Sequence, residues 1–121
     1  MFNFEKLDVW QEAINFADFV YPVTRAFPDD ERFGLTNQMR RAAVSISSNV
    51  AEGSSGSSRP DFAWFVELAT GSLFEVVSQA TVARRQTVLS QADYDRWYAA
   101  CEKQSKMLSG LRRSLLENQS A

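Results

Sequence analysis

Between Phe62 and Ala83 the chain carries only two charges, Glu67 and Glu75, within "DFAWFVELATGSLFEVVSQATVARRQ". Phe62, Phe65, Leu68 or Ala69, Ser72, Leu73, Val76 and Ala80 recur at helical spacing. Trp64, Val66, Phe74 and Val77 put apolar groups on the other sides of the same helix. A helix that is apolar nearly all round must be covered nearly all round. In a single bundle of 121 residues every helix leaves one side to solvent. This helix is therefore either unusually central or meets another subunit with its outer side. Gly71-Ser72 at its centre costs about 1 kcal/mol for the glycine relative to alanine. Either a tight helix–helix contact offsets that cost or the chain tolerates it.

Three further segments share the helical period. The first covers residues 4–27, with Trp10, Ile14, Ala17, Tyr21 and Thr24 on one stripe and Phe16, Val20, Val23 and Phe27 beside it. Pro22 removes a helix hydrogen bond and crowds the preceding turn, which predicts a kink or an early end near Tyr21. "FPDDERFG" then breaks the chain at Pro28. Gly34 is expected to take a positive φ, with a short helical turn over residues 29–32. The second segment covers residues 35–52. Leu35, Met39, Ala42 or Ala43, Ile46 and Val50 form its apolar face. Arg41, Ser45, Ser48 or Asn49, and Glu52 form a polar one. Gly53 is placed to end it as a C′ glycine. "EGSSGSSRP" reads as a helix stop, a solvated turn and the next start, with Ser58 as N-cap and Pro60 and Asp61 in the first turn. The fourth segment begins at Ser90, with Asp93 three residues on. It continues through Tyr94, Trp97 or Tyr98, Cys101, Ser105, Leu108, Leu111 and Leu115 to about residue 117. The tail, residues 118–121, is expected to fray. Four helices with short connections predict an all-α, antiparallel up-down four-helix bundle, one domain over residues 1–121, that assembles with copies of itself.

Composition removes many functions. The chain has no histidine and one cysteine, Cys101, which is expected to be buried and inert. Zinc sites need several nitrogen or sulfur ligands, and activated serine or cysteine nucleophiles need a base beside them. Neither phosphate-cradling glycine pattern is present. No metal or cofactor is expected. Apolar runs are too short to cross a bilayer, and the first residues lack a basic-then-apolar leader, so no membrane association and a cytoplasmic location are expected. Net charge is −2, but it is unevenly spread. Residues 1–31 hold seven acids and two bases, and residues 84–113 hold seven bases and three acids. The two ends attract each other or, in the second case, an anionic partner.

Taken in order, "FEKLDVWQEA", "FGLTNQMRRAAVSISSNVAEG", "FAWFVELATGSLFE" and "LSQADYDRW" resemble the four-helix bundle family also called 23S ribosomal RNA intervening-sequence protein. The second stretch is the most specific. Ser47 departs from the family pattern, which usually has proline there, and this implies a straighter helix. The resemblance implies a four-helix bundle that forms a ring, commonly a homopentamer. The family name records a gene location inside ribosomal RNA genes rather than an activity. A related, strongly basic branch binds nucleic acid alongside a reverse transcriptase; this chain is slightly acidic.

Three functions stay open on the residues. One is a non-enzymatic structural or adaptor ring that binds protein. A second is RNA or ribonucleoprotein binding through Arg40, Arg41, Arg84, Arg85, Lys103, Lys106, Arg112 and Arg113, since the guanidinium fork can give phosphate two hydrogen bonds. The third, an enzyme, would rest on Arg41, Asn49, Glu52 and Glu75. Those four are more simply read as a polar pairing between the second and third helices that fixes their register, with Glu75 meeting an arginine.

Overall fold

The computed structural model describes residues 1–56 and 58–117. Its helices begin where local chemistry can satisfy their free N–H groups. Ser58 Oγ accepts from the Asp61 N–H at 3.1 Å and opens α3 (Arg59–Arg85), with Pro60 in the first turn. Ser90 Oγ accepts from the Asp93 N–H at 3.1 Å and opens α4 (Gln91–Glu117). These follow α1 (Asp8–Arg25) and α2 (Asn37–Gly53). A short 3-10 turn, Asn3–Lys6, precedes α1. A second, Asp29–Glu31, and a π-helical turn, Arg32–Thr36, join α1 to α2. The tail, residues 118–121, expected to fray, lies outside the described residues.

Each helix packs on its neighbours in sequence, and α1 closes against α4, giving an up-down arrangement. The core runs down the middle through Val20, Met39, Ile46, Val50, Val66, Leu73, Val76 and Leu108, all essentially inaccessible. Burying side chains of this size contributes about 1.5–3 kcal/mol each. Trp97 is fully buried and meets Phe16 edge-on, with ring centroids 5.3 Å apart, and Phe19 at 6.0 Å. Cys101 is buried beside this layer, and burial pushes its thiol pKa up to about 12. No described helix is long and apolar enough to cross a membrane.

Several local expectations change. The α1 helix does not end at Tyr21: it continues to Arg25, because Pro22 lies exposed in the last turn, where few bonds remain to be lost. Gly34 keeps a negative φ of −103°. The positive φ values belong to Gly56 (99°) and to Thr87 (61°). Thr87 ends α3 in a Schellman turn, with the Val88 N–H on Ala83 O at 2.9 Å and its own N–H on Arg84 O at 3.1 Å. Gly53 is the last residue of α2, not a C′ glycine. It is needed for another reason: a Cβ there would stand 2.6 Å from Phe65 Cβ and 2.8 Å from Phe62 Cδ1 on α3. That, and not Gly71, is the close helix–helix approach. A Cβ on Gly71 would meet nothing within 4 Å. At Ser47 the helix runs on without interruption, and the buried hydroxyl donates to Val44 O at 2.9 Å.

Candidate functional site

The register of α2 against α3 is held by two contacts. Gly53 abuts Phe62 and Phe65, and two turns earlier Ser45 Oγ lies 2.9 Å from Ser72 Oγ. Asn49 completes this link by donating from Nδ2 to Ser45 O at 2.9 Å and to Ser45 Oγ at 3.0 Å. The outer surface of the pair is therefore well ordered. On α2 it presents Arg41, Ser48 and Glu52, together with half-exposed Val44. These line an open trough of about 680 Å³ whose other side is formed by Tyr21 of α1 and by Arg40. Arg40 is pinned there: Nε donates to Thr24 Oγ1 at 2.9 Å, Nη2 to Tyr21 O at 3.3 Å, and the guanidinium covers the Tyr21 ring at 4.7 Å.

On α3 the outer surface is apolar. Trp64 is 57% exposed and Phe74 63%, and Leu68 and Val82 are exposed with them. Val66 joins the core, whereas Trp64 and Phe74 do face outward as the sequence predicts. Trp64, Leu68 and Val82 fall on one stripe with Glu75 between them, at steps of four and seven. Phe74 leans toward α4. There it separates a cleft of about 230 Å³, bordered by Val77, Tyr98 and Ser105, from one of about 500 Å³, bordered by Gly71, Ser109 and Arg112. Cys101 borders the first cleft, but its raised pKa keeps it a neutral thiol.

The polar set is brought only partly together. Arg41, Asn49 and Glu52 share the trough. Glu75 does not join them within the chain. It meets no arginine among the described residues, and its carboxylate accepts only a long hydrogen bond from Gln79 Nε2 at 3.4 Å. It is exposed on the solvent side of α3, and the pairing with an arginine that the sequence predicts does not form among the described residues.

The eight basic candidates do not converge either. Lys103 pairs with Glu12 at 3.3 Å, joining α4 to α1, and Arg112 pairs with Glu67 at 2.7 Å, joining α4 to α3. Arg84 Nε donates to Gln91 Oε1 at 2.9 Å across the α3–α4 connection. Arg40 is occupied as described. Arg41, Arg85, Lys106 and Arg113 have no ion pair or side-chain hydrogen bond among the described residues. Arg84 and Arg85 end α3, whereas Arg112 and Arg113 end α4, which runs the other way. The two pairs stand at opposite ends of helices about 40 Å long.

Two polar residues without a sequence signal hold the frame. Buried Gln104 donates from Nε2 to Val9 O at 3.0 Å and ties α4 to the first turn of α1. Arg59 donates to Leu115 O at 3.2 Å and to Ser114 O at 3.0 Å, capping the end of α4. Among the described residues no group of His, Cys, Asp and Glu is placed to hold a metal.

Comparison with known proteins bears on this frame. The family model described as 23S rRNA-intervening sequence protein matches residues 5–110. A crystal structure from Bacteroides thetaiotaomicron, described as a protein with unknown function from the S23 ribosomal protein family, superposes with a TM-score of 0.80. It is 19% identical, and the match covers 87% of this chain and 95% of that one, so the likeness is one of fold. No curated protein matches the chain.

Proposed function

The chain belongs to the 23S rRNA-intervening sequence protein family, and from that premise we propose that it is a non-enzymatic assembly module. It binds copies of itself through the outer face of α3, closing into a ring, and the ring serves as an adaptor for protein. The family resemblance suggests five subunits.

The observation that carries this reading is the exposed apolar stripe of α3. Large aromatic side chains left in water are unfavourable, and burying one contributes about 1.5–3 kcal/mol. Aromatic anchors are also the residues that most often dominate binding surfaces. Among the described residues, Trp64 and Phe74 are the two most exposed large hydrophobic side chains on any of the four helices. They lie in the stretch between Phe62 and Ala83, whose only charges are Glu67 and Glu75. The alternative, RNA binding, has less support: four of its eight basic candidates are engaged within the subunit, and the remainder are scattered.

Light scattering coupled to size exclusion tests the proposal. Wild-type protein is expected to elute as a closed oligomer, and Trp64→Glu as a helical monomer. A wild-type monomer at micromolar concentration, or a Trp64→Glu oligomer of unchanged mass, overturns it.

A further inference from the structure

Resting on the assembly proposed above, the structure offers a seat for the α3 stripe and an ion pair to fix it. We infer that the stripe of one copy lies in the α1–α2 trough of the next, where Glu75 of the first copy pairs with Arg41 of the second.

Four observations converge on this. First, Arg41 and Glu75 are both exposed, of opposite charge, and neither has a charged partner among the described residues. Second, they stand at one level. The Ser45–Ser72 contact sets the register, Arg41 precedes Ser45 by one turn, and Glu75 follows Ser72 by about one turn on a helix running the opposite way. When the α3 edge of one copy is set beside the α2 edge of another in matching register, the two charges meet.

Third, shape and length agree. The stripe from Trp64 to Val82 is about 27 Å long at 1.5 Å per residue, and the trough from Asn37 to Glu52 about 22 Å. A raised apolar row fits a concave seat, and exposed Val44 in the trough supplies apolar surface for it. Gly71, open on the same outward side with nothing within 4 Å of its Cβ position, lets a neighbouring backbone come close.

Fourth, the contact uses two different surfaces of the subunit, α3 on one side and α1–α2 on the other. Such head-to-tail contacts generate rings when the rotation closes. Arginine suits the pairing because its planar fork can hold a carboxylate by two parallel bonds. In this seat Glu75 fixes the position of an otherwise apolar contact. Like charges brought together across such a surface cost several kcal/mol.

The test is charge reversal read by mass. Arg41→Glu sets two carboxylates against each other at every contact, and Glu75→Arg sets two guanidinium groups. Each alone is expected to weaken association by roughly tenfold to several hundredfold and release monomers at micromolar concentration. Far-UV circular dichroism checks that they stay helical. The double variant restores the oligomer. Mixing the two single variants is expected to raise the mass above that of either alone, because each contact between unlike copies joins opposite charges; a ring of five still keeps at least one contact between like copies, so the full closed ring returns only in the double variant. Lys106→Glu, exposed on α4, is expected to leave the mass unchanged.

The outcomes separate the two readings. A monomeric wild type overturns the assembly itself. An oligomer whose mass neither single reversal changes overturns the seat and leaves the assembly standing. Rescue by the double variant with no gain in mass on mixing places the pair inside one chain and overturns the intersubunit contact.

Discussion

Gly53→Ala tests whether the α2–α3 register depends on a missing side chain. The built Cβ lies 2.6 Å from Phe65 Cβ and 3.3 Å from Phe65 Cγ. Phe65 Cβ is attached directly to the α3 backbone, so no side-chain rotation moves it away. The helices must separate by several tenths of an ångström at this point, or α2 must unwind its last residue. Overpacking of this kind costs about 1–3 kcal/mol. The helix-propensity gain of alanine, at most about 1 kcal/mol, is reduced at a terminal position. The net expectation is a loss of about 1–2 kcal/mol. For a chain of this size each kcal/mol shifts Tm by about 4 °C, so Tm falls by about 4–8 °C. Gly110→Ala is the control of opposite sign. That glycine is exposed within α4 and a Cβ there meets nothing within 4 Å. It is expected to gain about 0.5–1 kcal/mol. Thermal unfolding of both variants by circular dichroism, at one protein concentration, decides the matter. A Gly53→Ala protein melting at or above wild type would refute the close-approach argument and return Gly53 to the role of a flexible helix terminator.

Three further measurements follow from particular residues. Thr87 is β-branched at a φ of 61°, and the left-handed region costs such residues about 1–2 kcal/mol; Thr87→Gly is expected to raise urea-unfolding stability by about 1 kcal/mol, and a loss would show that the hydroxyl matters more than the strain. Cys101, with its pKa pushed up to about 12, keeps its proton in the folded chain while the unfolded chain releases it from about 9.0 upward. Stability is therefore unaffected below that window and falls as pH rises through it. At pH 8 an alkylating reagent is expected to modify the thiol only after unfolding, and rapid modification of native protein would contradict its burial. In a fluorescence-anisotropy titration with a structured RNA, no micromolar binding is expected at physiological salt. Tight binding that weakens steeply with salt would instead support the RNA reading and make Arg85 and Arg113 the first residues to change.

What the sequence made legible was mostly local. Ser58 and Ser90 cap their helices because the cap is decided within three residues. The apolar face of α2, through Met39, Ala42, Ala43, Ile46 and Val50, is buried as its period predicts. Glycine positions were visible, but their roles were not. Gly34 and Gly53 sit at the right boundaries without a positive φ, because the close approach at Gly53 depends on Phe65, a residue of another helix. Gln104 and Arg59 carried no signal for the same reason. A glutamine within a helical period looks solvated until its partner, the Val9 carbonyl, is known to lie across the bundle. The eight basic residues likewise looked like a phosphate-binding set, because nothing local reveals that Arg112 faces Glu67 or that Lys103 faces Glu12.

The candidate site shows the converse. The surplus apolar surface of α3 was evident from its period alone, and Trp64 and Phe74 remain exposed after the other three helices have packed. Among the described residues, the same face leaves Glu75 without a charged partner while Arg41 stands equally unpaired one helix away. Arg40, next to Arg41 in sequence, is by contrast held by three contacts to α1. The proposed contact between copies would give this exposed arginine and glutamate the partners that the described residues of one chain do not supply. On the proposed contact, residues needed by the subunit and residues needed by the assembly are interleaved along α2 and α3 at the same helical period. Sequence pattern alone therefore cannot sort them, but the charge-reversal mixing experiment can, because only residues of the second kind are rescued from another chain.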